Sequence, residues 1–426
     1  MKTRYIPILL LAALAVMAGL LPSSLGGSRA EGAATQNCLA WERSAKGDVE
    51  DLGRPVIDRL AGDEPYGQLL GDFTADNCMR LNHVQVLGTH NSYHIQPRPA
   101  LLAAIAAFDP LAAASFEYTH RPLDEQLGPL GIRQLELDVF ADPNGGLFAV
   151  PLGPLFVPPF QPDPIKPEML APGLKVLHIQ DIDFETRCLT FVLCLQTIKA
   201  WSDANPGHLP LMVLVEAKDD PLPLPPGLPP ATVPVPFGAA QLDGIDAEIR
   251  SVFADDQLIT PDDVRGERST LEEAVLKDGW PTLNESRGRL LFAFDNTDAK
   301  RDVYLDGHPS LEGRVMFTSS PPGEPDSAFV KVNEPRGANE DYIRGLVAAG
   351  YIVRTRADAD TVEARFGLIA RRIAALASGA QFVSTDYPEA DPDFLTGYFV
   401  EIADGANARC NPVLAPPGCD PAALEE

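Results

Sequence analysis

The stretch IRQLELDV, residues 132–139, decides the fold prediction. Successive side chains of a β-strand point to opposite faces, so the apolar residues at 135, 137 and 139 share one face while Glu136 and Asp138 share the other. A strand with one apolar face and two acids on the opposite face does not belong to a plain hydrophobic core. We interpret it as a strand that packs against helices on one side and lines a polar site on the other.

Strand-like segments recur along the chain, and most are rich in valine, isoleucine, leucine and phenylalanine, as buried parallel strands are. Apolar residues at helical spacing lie between several of them, for example in 242–253 and 361–376. This alternation predicts an α/β fold, and eight strands predict a closed (β/α)8 barrel of the TIM type in a single domain. An open, doubly wound sheet is the alternative, although no Gly-x-Gly-x-x-Gly motif follows the first strand. The predicted strands are 84–88, 133–139, 174–179, 211–216, 289–294, 314–318, 351–355 and 381–385.

The first thirty residues have the pattern of a secretory signal peptide. Lys2 and Arg4 form a basic start, residues 6–21 are apolar, and small residues follow up to Ala30. An N-terminal membrane anchor is the alternative. We therefore expect a secreted protein, extracellular or periplasmic. Its predicted parts are an N-terminal arm at 31–77, the barrel at 78–400 and a C-terminal tail with a cysteine pair at 401–426.

Two segments crowded with proline, 151–172 and 222–237, predict long, stiff loops. Each follows a strand that carries candidate site residues. In a barrel the loops that follow strands surround the mouth of the active site. These two loops therefore either border the mouth or decorate the surface.

The six cysteines suit an exported protein, because an even number in an oxidising compartment indicates disulfides. Pairing of near neighbours would join Cys188 to Cys194 and Cys410 to Cys419. Cys38 and Cys78 would then form the third bridge. No Cys-x-x-Cys motif occurs, which argues against structural zinc and thioredoxin-like chemistry.

The formal net charge of −26 restricts the partners of the chain. Nucleic acid and bare anionic membranes carry negative charge and would repel it. We therefore expect no nucleic-acid partner. An anionic substrate would need positive charge supplied locally.

Reactive side chains stand at the ends of several predicted strands. Because the carboxyl ends of barrel strands meet at one mouth, we expect these side chains to converge there. A lone histidine at a strand end is more often structural, but the repetition on successive strands is hard to explain by chance. The residues are His90 and Asn91, Glu136 and Asp138, His178, Glu216 and Lys218, Arg354 and Arg356, and Asp386.

Three acids at one mouth require a positive partner. Two like charges about 4 Å apart cost on the order of 4 kcal/mol at an effective dielectric constant of 20. Asn91 would add a neutral oxygen to Glu136, Asp138 and Glu216, and a set of oxygen ligands suits Ca²⁺. Mg²⁺ and a zinc site with histidine ligands are alternatives. Lys218 could also neutralise the acids without any metal.

The set His90-Asn91, Glu136-Leu137-Asp138, His178 and Glu216, in this order, resembles the catalytic barrel of the calcium-dependent phosphoinositide-specific phospholipase C family. The secreted bacterial branch with a eukaryotic-like calcium site is most similar. The resemblance covers roughly residues 78–390. Metal-independent bacterial phospholipases C have an arginine where the metal would sit, so the two acids favour the calcium-dependent type.

The resemblance implies a reaction and a role for each residue. The inositol 2-hydroxyl of phosphatidylinositol would attack the phosphate, releasing diacylglycerol and an inositol cyclic phosphate, with Ca²⁺ lowering the pKa of that hydroxyl. His90 would stabilise the charged phosphorane, and His178 would be the general acid. The base would be a carboxylate, Glu136 or Glu216, and the implied calcium ligands are Asn91, Glu136, Asp138 and Glu216.

The head-group contacts are predicted from the remaining polar residues at strand ends. Arg354 and Arg356 would grip phosphate or inositol hydroxyls, or else form outer salt bridges. Asp386 would contact inositol or only fix its end of the barrel, and Lys218 would touch phosphate. The expected partner is a phospholipid at a membrane surface, bound by a monomer.

Two other functions remain open from the sequence. A glycerophosphodiester phosphodiesterase or a sphingomyelinase D-like enzyme shares the barrel, a Glu-x-Asp pair and two histidines. However, His90-Asn91 and the His178-Ile179 pair depart from the His-Arg and His-Asp pairs of those enzymes. A non-catalytic barrel that binds lipid or sugar head groups is the other alternative.

Overall fold

The computed structural model describes residues 78–225, 227–297, 299–402, 405–417 and 419–425. The predicted signal peptide and nearly all of the predicted N-terminal arm, with Cys38, lie outside the described residues. Within those ranges no helix combines the length and apolar character needed to cross a bilayer.

Ten strands occur in the described ranges, and eight of them run parallel around a barrel. Hydrogen bonding joins them in the order β1-β2-β4-β5-β6 on one side and β1-β9-β8-β7 on the other. A bridge between Ser319 and Phe329 connects β6 to β7 and nearly closes the ring, so the predicted TIM-type barrel is confirmed. The strands are β1 (Val84–Thr89), β2 (Gln134–Phe140), β3 (Lys175–Val176), β4 (Leu211–Ala217), β5 (Leu290–Phe294), β6 (Met316–Thr318), β7 (Phe329–Lys331), β8 (Ile352–Arg356), β9 (Phe382–Thr385) and β10 (Ala408–Cys410).

One predicted barrel strand is wrong. Segment 174–179 contributes only β3, which pairs antiparallel with β2 and stands outside the parallel ring. The eighth barrel strand is β7, which the sequence analysis missed. It pairs in parallel with β8 and has only three residues, too few for a recognisable periodicity.

Helices and turns fill most of the connections between barrel strands, but β6 and β7 are joined by a segment without a helix. Local signals fix several helix ends: the Thr190 side chain accepts a hydrogen bond from the Leu193 amide at the start of α4, and Gly350 ends α10 in the left-handed region. The helices are α1 (Pro99–Phe108), α2 (Pro110–Ser115), α3 (Leu123–Leu127), α4 (Phe191–Ala204), α5 (Ala239–Val252), α6 (Pro261–Arg265), α7 (Leu271–Lys277), α8 (Leu283–Ser286), α9 (Ala299–Leu305), α10 (Ala338–Ala349), α11 (Val362–Phe366) and α12 (Ala370–Ala377).

All seven residues of β2 are buried, so the alternation read from residues 132–139 separates two buried faces. Leu135, Leu137 and Val139 are each at most 1% exposed, as expected for the face that packs under the helices. The opposite face lines the barrel interior. There a Cβ atom at Gly88 would lie 2.0 Å from Oε1 of Gln134, so glycine is required for this close approach.

Two of the predicted disulfides are present, Cys188–Cys194 and Cys410–Cys419. The second closes the tail beyond β10, which pairs antiparallel with β1. Cys78 is also disulfide-bonded. Its predicted partner, Cys38, lies outside the described residues.

Candidate active site

The three acids predicted to form a cluster lie together at the carboxyl ends of β2 and β4. Asp138 is directly opposite Glu216 in the parallel register, and Glu136 precedes Asp138 by two residues on the same face. One carboxylate oxygen from each lies within 4.8 Å of the others. Glu136 and Asp138 are buried, whereas Glu216 is partly exposed.

Asn91 adds an oxygen that has no protein partner. Its backbone adopts a φ of 46°, a left-handed conformation that asparagine tolerates better than most residues. Its Nδ2 donates to the Tyr118 hydroxyl at 3.0 Å, which leaves Oδ1 buried without a hydrogen bond among the described residues. Both carboxylate oxygens of Asp138 are buried in the same way. Buried oxygens without hydrogen-bond partners are expected where a cation binds.

Burial and mutual repulsion make the acid cluster hard to ionise without a cation. Burial, opposed by Lys218 and reinforced by Glu216 and Glu136, raises the pKa of Asp138 well above its usual value. Burial also raises the pKa of Glu136 to about 7, although Arg354 opposes the shift. Lys218 provides partial compensation, with Nζ 3.4 Å from Asp138 Oδ2 and 3.6 Å from Glu216 Oε2.

The His90 ring lies between a carboxylate and a guanidinium group. Its Nδ1 donates to Asp386 Oδ1 at 2.7 Å, and its Nε2 lies 3.2 Å from Arg356 Nη1 and 3.7 Å from Glu136 Oε1. Arginine only donates hydrogen bonds, so Nε2 carries a lone pair in this arrangement. Burial and the nearby Arg356 lower the pKa of His90 well below its usual value.

His178 belongs to a second group of polar residues. Its Nδ1 donates to Asp183 Oδ2 at 2.7 Å, and the same carboxylate lies 2.9 Å from His94 Nε2. His94 Nδ1 faces the carbonyl oxygen of Tyr118 at 3.0 Å. Both ring nitrogens of His94 therefore face an oxygen, and the ring is fixed between Asp183 and the backbone of Tyr118.

Burial and the contacts within this second group shift the pKa of Asp183 and the pKa of His178. Burial tends to raise the pKa of Asp183, but the two imidazoles outweigh it and lower that pKa to about 2. Burial lowers the pKa of His178, and Asp183 acts in the opposite direction. Asp183 is therefore a permanent carboxylate that orients His178.

The two arginines of β8 point into the barrel. Arg354 Nη2 lies 2.5 Å from Glu136 Oε2, and Arg356 Nη2 lies 2.9 Å from Asp386 Oδ2. Both arginines are buried, so these ion pairs lie inside the barrel and not on its outer surface. Both oxygens of Asp386 are bonded to protein groups, which favours its reading as a residue that fixes this end of the barrel.

Three residues in or beside the mouth are not among the predicted site residues: His94, Asp183 and Asp295. His94 lies only four residues after His90, but it contacts Asp183 and so belongs with His178. Asp183 itself follows the His178 strand end by five residues, across a turn that sequence spacing does not reveal. Asp295 directly follows predicted strand 289–294, a signal that was available, and it contacts Lys331 of the unrecognised strand β7.

Solved structures of two bacterial phospholipases C are similar to this chain. A calcium-dependent phosphoinositol-specific phospholipase C from Pseudomonas sp. is 15% identical, with 78% of this chain and 95% of that chain covered and a TM-score of 0.45. A Ca²⁺-dependent phosphatidylinositol-specific phospholipase C from Streptomyces antibioticus is 18% identical, with 75% and 98% covered and a TM-score of 0.46. Comparison with curated protein sequences gives no match.

A family model decides the assignment. The model described as "Phosphoinositide phospholipase C, Ca2+-dependent" matches residues 79–412, most of the chain. The chain belongs to the Ca²⁺-dependent phosphoinositide phospholipase C family, whose members are phosphodiesterases.

Proposed function

We propose that this protein is a secreted, calcium-dependent phosphodiesterase that cleaves phosphatidylinositol into diacylglycerol and an inositol cyclic phosphate. One observation carries the proposal. Three carboxylates and a buried, unpartnered amide oxygen meet at the barrel mouth, near two imidazoles that are each oriented by a carboxylate.

The residues present fit a calcium ion. Asn91, Glu136, Asp138 and Glu216 supply only oxygen donors, and several of those oxygens have no hydrogen bond. Calcium bound there would supply positive charge that neutralises the phosphate and makes a nearby hydroxyl more acidic. The repulsion among the acids gives the protein a physical reason to bind such an ion.

His90 is suited to receive the proton of the attacking 2-hydroxyl. Its Nε2 has a lone pair, and Asp386 at Nδ1 balances the imidazolium that forms. Burial and the charge of Arg356 make His90 a weak base, and an anionic phosphodiester near Arg356 would offset that charge. The imidazolium can then donate to a phosphate oxygen, which is the predicted charge-stabilising role. Of the two carboxylates considered as bases, Glu216 is the alternative acceptor, because Glu136 already bonds Arg354.

His178 is suited to protonate the diacylglycerol oxygen as it leaves. Asp183 fixes Nδ1, so Nε2 is the nitrogen available to the substrate, and the side chain is 18% exposed. The ring of Phe116 packs edge-on against His178 at 5.5 Å between centroids and helps to hold its plane. Lys218 and the two arginines supply the positive charge that an anionic substrate needs in a chain with a net charge of −26.

Exposed apolar side chains around the mouth support a phospholipid surface as the partner. We call Phe108, Leu111, Phe160, Phe366 and Leu395 the apolar rim, and they are 67%, 81%, 62%, 67% and 97% exposed. All of them lie on connections that follow strands β1, β2, β8 or β9, which begin at the mouth. Thr361 Oγ1 donates to the Ala114 carbonyl at 2.9 Å and joins two of these connections. An apolar rim of this kind is typical of lipid contact.

The test is an assay on phosphatidylinositol vesicles with a chelator, followed by added calcium. We expect activity to disappear and return, and product analysis to show diacylglycerol and a cyclic inositol phosphate. Glycerol phosphate or a free alcohol as the product would favour the other phosphodiesterases. Full activity in chelator would exclude the metal from the reaction.

A further inference from the structure

Lys218 lies beside two acids of the cluster, Asp138 and Glu216. It follows Glu216 by two residues, so strand alternation returns its side chain to the same face. Its Nζ is 3.4 Å from Asp138 Oδ2 and 3.6 Å from Glu216 Oε2. The side chain is 21% exposed, so solvent reaches it from the mouth.

Both distances exceed the usual length of an N–H···O hydrogen bond, about 2.7–3.2 Å. Lys218 therefore compensates the charge of the two acids without saturating their oxygens, and both oxygens of Asp138 remain without a hydrogen bond. The contrast is with Arg354, which lies 2.5 Å from Glu136, and with Lys331, which makes a short contact with Asp295. Those two cations lie closer to their acids than Lys218 lies to Asp138 and Glu216.

We propose that Lys218 is a built-in competitor of calcium. Its ammonium group is the counter-ion of the acid cluster when no metal is bound, and it gives up Asp138 and Glu216 when a divalent ion takes their oxygens. Lys218 thereby lowers the affinity for calcium and stabilises the metal-free protein. This inference rests on the proposed function, which assigns Asp138 and Glu216 as calcium ligands.

The charges at the cluster explain why the two effects have opposite signs. Three carboxylates without Lys218 would repel one another in the metal-free protein, because each lies within 4.8 Å of the others. The same ammonium group repels a divalent ion placed among those carboxylates. Removal of this one charge should therefore weaken the protein without metal and strengthen the binding of metal.

The experiment compares Lys218→Met with Lys331→Met, which removes the same charge from a mouth lysine bonded to Asp295 instead of the cluster. Calcium alone is titrated into each lipid-free protein by calorimetry, and thermal unfolding is followed in chelator and in calcium. We expect Lys218→Met to bind calcium at least about tenfold more tightly, or 1.4 kcal/mol. We also expect it to unfold at a lower temperature than the natural protein in chelator, with the difference reduced in calcium.

Equal or weaker calcium binding by Lys218→Met would overturn the proposal, as would a similar gain in Lys331→Met. Lys218→Arg keeps the charge and should leave calcium affinity near that of the natural protein. Folding of Lys218→Met only in the presence of calcium would support the counter-ion role. Misfolding of Lys218→Met with and without calcium, together with tighter calcium binding by Lys218→Arg, would count against the proposal. Failure of the natural protein to bind calcium is a separate result, because it removes the proposed function itself.

Discussion

At the scale of single residues, the site contains two histidines, His90 and His178, in different electrostatic surroundings. Nδ1 of both His90 and His178 donates to a carboxylate, so each ring presents Nε2 to the mouth. Arg356 stands beside Nε2 of His90, whereas His178 has no arginine contact of this kind among the described residues. Different surroundings of like groups are how a site divides acid and base roles.

Replacing His178 with alanine tests the assignment of the general acid. We expect cleavage of phosphatidylinositol to fall by roughly 10² to 10⁴, the usual contribution of a positioned acid. A substrate with a nitrophenyl leaving group should lose much less, because such an oxygen leaves without a proton. Steady-state kinetics on both substrates, with circular dichroism to check folding, make the comparison. Equal losses would indicate a role other than proton donation.

The Asp183→Asn variant tests how the acid is tuned. His178 must be protonated to act, so kcat/KM should fall as pH rises through its pKa, which burial places below its usual value. Asp183 opposes that shift, while Lys218 and His94 add to it. Loss of the carboxylate charge should therefore move the basic limb of the pH profile to lower pH by about one unit, or 1.4 kcal/mol. Asp203→Asn on the surface of α4 should not move it, and an unshifted limb in Asp183→Asn would refute the tuning role.

At the scale of secondary structure, position at a strand end was the informative signal. Glu136, Asp138 and Glu216 were recognised because alternation and strand order fix where such side chains point. Asp183 was missed because it reaches His178 through a turn rather than through strand register. Strand β7 was missed because its pairing is decided by closure of the barrel, which local sequence does not encode.

Asp181 connects both proline-rich loops to the turn that carries His178. It has a φ of 70°, and its carboxylate accepts hydrogen bonds from the Leu152 amide at 3.1 Å and from the Thr232 amide at 2.6 Å. The loops at 151–172 and 222–237 therefore border the mouth through a shared anchor. These hydrogen bonds give Asp181 a structural role in the turn.

The Asp181→Gly variant should separate the loops from the turn while tolerating the positive φ. Hydrogen bonds to a charged group contribute about 1.5–3 kcal/mol each, so we expect the free energy of unfolding to fall by a few kcal/mol. We expect kcat to fall by about tenfold, which corresponds to 1.36 kcal/mol, as His178 loses its fixed position. Asp181→Asn keeps one acceptor oxygen and should retain most of the activity. Denaturant unfolding and kinetics measure both effects, and full activity in Asp181→Gly would show that the loops need no anchor.

At the scale of the whole molecule, the net negative charge of the protein and its exposed apolar side chains have opposite effects on its binding to an anionic lipid bilayer. A net charge of −26 disfavours approach to that surface, so binding must come from local features. The connections that carry the apolar rim follow strands whose carboxyl ends form the mouth that holds the candidate calcium ligands. Contact of the rim with lipid would place the scissile phosphate next to those ligands.

The variants Leu111→Asp and Phe366→Asp test this arrangement. Burying one large apolar side chain contributes about 1.5–3 kcal/mol, so each variant should weaken vesicle binding by about tenfold or more. Leu276→Asp changes an exposed apolar side chain near the end of α7, next to Val275, whose carbonyl lies close to Gly350 just before β8. This position is at the opposite end of the strands from the mouth, so the variant should leave vesicle binding unchanged. Sedimentation with phosphatidylinositol vesicles measures binding, and a short-chain, monomeric phosphatidylinositol measures turnover without a surface. Because the rim residues do not touch the acids or the imidazoles, activity on the monomeric substrate should persist in both rim variants. Equal losses on vesicles and on the monomeric substrate would mean that the rim supports the catalytic mouth itself and not its contact with lipid.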